Sequence, residues 1–109
     1  MFARLTFTKI LPQHIALHRK IFTEEVVPAV RRHKGLIHIM LLEPTQKGDE
    51  FISVTEWESQ KDAEAYERSG QYQELIQKIN GLTAKEPALK TYTVETVGAT
   101  RPEVHRPLY

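Results

Sequence analysis

Cysteine is absent from the 109 residues, which excludes disulfides, thiolate metal sites and cysteine nucleophiles together. Glycine and proline are sparse, at five and six, and hydrophobic residues make up 40% against 27% charged. That balance is neither a disordered chain's nor a membrane protein's. Nowhere do the roughly 18 consecutive apolar residues of a membrane span occur, and the start of the chain carries no basic segment followed by an apolar run and a small-residue cleavage site. A soluble cytoplasmic protein with no membrane partner is expected. An excess of one charge is missing too, since 15 Lys plus Arg stand against 14 Asp plus Glu, a formal +1. Nucleic-acid binding draws on clustered cations, so nucleic acid is not an expected partner. The densest basic group, Arg31-Arg32-His33-Lys34, falls where a helix would end, and cations there complement the helix dipole.

The length fits one domain with one core. Phe2 to Ile10 alternates and is rich in Phe, Leu and Thr, as a strand requires, and Pro12 then suits a first helical position. Ile15, Phe22, Val26 and Val30 recur at helical spacing and define a face that packs on a sheet. Pro28 interrupts this pattern, so a kink or restart is expected near Val27, with Gly35 ending the helix. Leu36 to Leu42 is an almost unbroken apolar run, the mark of a strand covered on both faces, and Phe51 to Trp57 forms a hairpin with it. Ser59 caps a helix running to about Ser69, Ser69-Gly70 breaks it, and Tyr72, Leu75, Ile76 and Ile79 follow helical spacing. Leu89 to Val97 reads as a last strand. The order β-α-β-β-α-β is an α+β, ferredoxin-like arrangement with an antiparallel sheet and helices on one face. Because helices cover only one face, the apolar second strand implies a second copy on the other, hence a homodimer. The domain is expected over 1–97 and an extended tail over 98–109.

His14 and His18 lie four apart, a spacing that could share a metal, but no third ligand stands at a telling distance and the pair reads as solvated or half-packed. His38, inside the most apolar strand, must be hydrogen-bonded or line a cavity if buried. Trp57 suits a core corner or a cleft wall, and Tyr66 and Tyr72 face the sheet if their helices do. No Ser-His-Asp grouping, phosphate loop or dinucleotide fingerprint is present.

Phe22-Thr23-Glu24-Glu25-Val26-Val27-Pro28-Ala29-Val30, leading to Lys34-Gly35-Leu36, resembles the kinked first helix of the antibiotic biosynthesis monooxygenase (ABM) family. Ser53-Val54-Thr55-Glu56-Trp57-Glu58-Ser59, with Ala63-Glu64-Ala65-Tyr66 and Ser69-Gly70-Gln71-Tyr72, is similar to that family's strand-ending Trp and the helices behind it. The resemblance covers about residues 2–97 and implies a dimeric α/β barrel. It also implies oxidation of aromatic or quinol-type molecules by molecular oxygen with no metal or flavin cofactor, or else haem degradation. Where the haem-degrading branch carries an Asn, a Trp and a haem-ligating His, this chain has Ala3, Tyr66 and Ile76, and an alkyl side chain cannot ligate iron. On this footing the chain is expected to bind a small aromatic ligand between sheet and helices, with Tyr66, Tyr72, Trp57 and Ile76 shaping the cleft and His38 as its base. A non-catalytic binding or assembly dimer, and haem handling by an altered site, are the alternatives.

Overall fold

The computed structural model describes residues 1–98; of the tail expected over 98–109, everything from residue 99 onward lies outside the described residues. Four strands, β1 (Phe2–Thr8), β2 (Leu36–Leu42), β3 (Phe51–Trp57) and β4 (Ala88–Thr93), form one sheet in the order β2-β3-β1-β4. Every neighbouring pair is antiparallel, with Phe2 opposite both Trp57 and Thr93. The fold is ferredoxin-like α+β.

β1 stops at Thr8 rather than Ile10, which instead makes an isolated bridge to Thr83. β4 is shorter than the apolar pattern to Val97 predicts. It pairs only with β1, and that ladder runs out at Met1, whose carbonyl accepts from the Val94 N–H at 2.8 Å. A register shift between Leu36 and His38 sets Ile39 opposite Thr55 and Leu41 opposite Ser53. Cross-strand partners share a face, so Ile39 and Leu41 join the even residues of β1 and the odd residues of β3 beneath the helices. His38, Met40 and Leu42 point to the other face. Ile37, Met40 and Leu42 are 42%, 40% and 44% exposed, so β2 is not covered on both sides within one chain.

The helical layer opens with a 3₁₀ turn at Pro12–His14, followed by α1 (Ile15–Ile21), a π turn over Phe22–Val26 and α2 (Val27–Val30). Pro28 explains the π turn. In an unbroken α-helix its ring would meet the carbonyl four residues back, and the wider turn, closed by Val27 N–H bonding to the Phe22 carbonyl five residues back, accommodates it. The kink expected near Val27 is therefore a widening followed by a restart.

Ser59 caps α3 (Gln60–Arg68), its Oγ accepting from the Asp62 N–H at 3.1 Å. Gly70, at φ +84°, turns the chain into α4 (Gln71–Lys78). Gly35, at φ +88°, lies so close to the Asp62 side chain that a Cβ there would collide with it, so the link into β2 runs tight under the first turn of α3. The core gathers Phe2, Ala29, Val30, Trp57, Ala63, Tyr66 and Leu75. Among the described residues no helix is long and apolar enough to cross a membrane.

Candidate functional site

Large side chains fill the space between sheet and helices at one end of the sheet, where Trp57 and Tyr66 meet. Further along, the sheet offers Thr6, Thr8, Ser53 and Thr55 instead, and a gap opens above them. These side chains are short and leave much of the space above them unfilled. The gap is roofed by His18, Phe22, Val26 and Val30 on one side and by Tyr72, Leu75, Ile76 and Ile79 on the other, with Ile39 and Leu41 closing it from β2. It encloses about 600 Å³ counting its open mouth, of which the centre of a water molecule can reach about 60 Å³. Its walls are apolar apart from a few hydroxyls and one imidazole. Thr6 Oγ1 and the Tyr72 hydroxyl are 3.2 Å apart, and Thr55 Oγ1 accepts from the Trp57 indole N–H at 2.9 Å.

His18, which the sequence reading set aside with His14 as solvated or half-packed, is a wall of this cleft. It is only 4% exposed, and its ring stands edge-on to Phe51 at 5.3 Å. Its Nδ1 has no hydrogen-bond partner among the described residues. Burial holds its pKa below the ordinary imidazole value, against a smaller upward pull from the Glu43 carboxylate. Arg19 grips that carboxylate through two hydrogen bonds, of 2.6 and 2.9 Å, which keeps Glu43 ionised. The overlooked signal was the spacing 18, 22, 26, 30, which adds His18 to the apolar stripe. Steps of four overshoot an α-helical turn by about 40°, and the wider π turn counters that drift, so all four side chains reach the cavity.

Of the residues that the sequence reading proposed for the cleft, Tyr72 and Ile76 line it. Trp57 and Tyr66 stand behind it, stacked with ring centres 5.1 Å apart and buried in the core. The Tyr66 phenol is pushed up to about 12, chiefly by burial and also by Tyr72, while Arg4 pulls the other way. A phenol held there stays neutral and cannot serve as a base. Arg4, itself buried, links the two tyrosines, its guanidinium 4.7 Å from the Tyr72 ring centre and 5.5 Å from that of Tyr66. It is tied to Glu67 at 2.9 Å, and this packing fixes Tyr72 from behind. His38 is not brought to the cleft. It sits on the opposite face of the sheet, its Nε2 2.6 Å from Glu56 Oε1, because alternation along β2 gives the cleft to Ile39 and Leu41. Ala3 pairs with Glu56 and Tyr92, away from the helices. Among the described residues, no three His, Cys, Asp or Glu side chains gather as a metal site would require.

The sequence model of the family described as antibiotic biosynthesis monooxygenase matches residues 1–78, which span β1 to α4 and every wall of this cleft but Ile79. The chain belongs to that family. A search of curated proteins gives no match. Solved ABM-like folds share the architecture at low identity. One is a monooxygenase from the gene ActVA-Orf6 of Streptomyces coelicolor, solved with nanaomycin D, at TM-score 0.74 and 17% identity over 93% of this chain and 91% of that one. Rv0793 from Mycobacterium tuberculosis gives 0.74 and 14%, over 90% and 98%. A variant of MhuD, with two manganese protoporphyrin IX molecules bound per active site, gives 0.72 and 19%, over 91% and 100%. The ABM fold of this chain is thus shared with a protein solved with nanaomycin D and with one that binds manganese protoporphyrin IX.

Proposed function

We propose that this ABM-family chain is a cofactor-independent monooxygenase that takes a small electron-rich aromatic of phenol or quinol type into the cleft between sheet and helices. The observation that carries the reading is the cleft itself. A domain serving only assembly would close its core, whereas here Thr6, Thr8, Ser53 and Thr55 leave an apolar gap with few polar groups at one spot. The space within reach of a water centre is smaller than the roughly 150 Å³ cavity that admits benzene, so a ring enters by displacing the half-buried Ile76 side chain. The bound streptomycete relative supports an aromatic occupant.

In such chemistry the substrate supplies all the electrons. A ring C–H para to the hydroxyl becomes C=O while that hydroxyl becomes the second carbonyl, so a phenol goes to a quinone; one atom of dioxygen enters the product and the other leaves as water with the two hydrogens removed. The protein desolvates the substrate anion, holds it, and offers hydrogen bonds from the Tyr72 and Thr6 hydroxyls to its oxygen. A second copy on the open face of the sheet completes the working unit, since Leu5, Phe7, Met40, Leu42, Ile52 and Val54 form an apolar surface there. His38 and Glu56 belong to that surface.

Haem handling is the second reading, favoured by the porphyrin-bound relative and opposed by the alkyl side chain of Ile76 in the cleft. Titrating the protein with haem and with a panel of quinols, while following absorbance and oxygen uptake, separates the readings. Oxygen consumed with a quinol and no Soret band supports the monooxygenase. A Soret band revives the haem reading, and silence throughout leaves a binding or assembly dimer. His38→Ala is expected to keep full oxygen uptake; a collapse on that change would return the base to the outer face.

A further inference from the structure

We propose that His18 is the base of this cleft, taking the hydroxyl proton of a phenol- or enol-type ligand and leaving the electron pair on the ligand oxygen as an oxyanion. The inference rests on the reading of the cleft as a substrate site and puts the base at His18 in place of His38.

His18 lines the cavity from α1, is buried, and keeps an unpartnered Nδ1 among the described residues. A buried ring nitrogen without a partner carries a desolvation cost that an interior histidine ordinarily avoids by hydrogen bonding. Phe51 meets the ring edge from β3 and gives nothing to bond. A ligand hydroxyl entering the cavity supplies the missing partner.

Protonation points the same way. Among the cavity-lining residues only His18 and Tyr72 can titrate. Among the described residues the charge that acts on the imidazole is Glu43, which follows β2 and is bound by Arg19 on α1. Burial keeps the ring neutral, the state a base needs, and once it has taken a proton the Glu43 carboxylate favours the imidazolium. The products are an oxyanion and an imidazolium side by side in an apolar pocket, with the Tyr72 and Thr6 hydroxyls available to the oxyanion. His38, 46% exposed and bound to Glu56 on the other face, offers none of this.

The test compares the full-length wild type with His18→Gln, which keeps much of the volume, and with His18→Gly supplied with free imidazole. Quinol-dependent oxygen uptake is expected to fall by about a hundredfold or more in both variants, and imidazole is expected to restore it in His18→Gly with a pH profile set by the added base. Uptake unchanged in His18→Gln overturns the inference while leaving the monooxygenase reading standing. If the wild type oxidises no quinol, para-nitrophenol binding decides in its place. Bound probe that ionises at lower pH than in free solution with wild type, but not with His18→Gln, upholds His18 as the proton acceptor even as the oxidase reading falls. Identical spectra for the two proteins, or no binding, overturn it. Should neither variant fold, the ring-nitrogen NMR signals of His18 in the wild type must move when para-nitrophenol is added; signals that stay still overturn the assignment.

Discussion

Burying the His18 imidazole makes acid a stress on the whole domain. Its folded pKa lies below the ordinary value of about 6.5, so the unfolded chain binds the proton more readily. The stability tied to the neutral ring is complete above pH ~6.5 and is lost as pH falls through the folded pKa. Urea midpoints measured across that range are expected to drop for the wild type and to drop less for His18→Gln; equal slopes would show that another group sets the acid limit. This histidine was hard to read in the sequence because two imidazoles four apart look alike whether solvated or buried. What separates them is the stripe through Phe22, Val26 and Val30, which includes 18 and not 14. With His38 the difficulty is reversed. Its neighbours in sequence are apolar, but burial of a strand residue depends on what covers its face, and one chain covers only the face that holds Ile39 and Leu41.

The π turn at Phe22–Val26 is the element that sets the shape of the cleft. Val30 is anchored in the core at 1% exposure, so a one-residue deletion within the turn would rotate the preceding helix by about 100° about its axis. Deleting the exposed Glu24 is expected to leave a folded domain by circular dichroism, of lower thermal stability, that has lost saturable binding of aromatic ligands because His18 and Phe22 have swung off the cavity. Ligand binding that survives the deletion would mean the stripe is not held by the turn. At this scale the sequence was informative. The element order, the cap at Ser59, the break at Ser69-Gly70 and a disturbance near Val27 all follow from local chemistry. The strand ends were less so, since β4 stops where its only partner runs out, and that depends on register.

For the molecule as a whole, one helical layer and one sheet leave an apolar face open, and Met40 and Leu42 stand on it at 40% and 44% exposure. Replacing both with glutamate is expected to shift the proposed dimer to monomer in sedimentation experiments, because two charges would then face an apolar surface. A species whose mass does not change would remove that face from the interface. The sequence implied a partner through the doubly apolar β2 but not which of its residues face the open side of the sheet; the shift between Leu36 and His38 decides that.

β2 therefore belongs to two surfaces at once, with its side chains assigned in turn. A scan of every substitution along the strand is expected to yield two interleaved classes of defect. Changes at Met40 and Leu42 should produce losses that raising the protein concentration repairs. Changes at Ile39 and Leu41 should produce losses that no concentration repairs. A seven-residue strand would in this way report, residue by residue, which side of the sheet each part of the protein's work is done on.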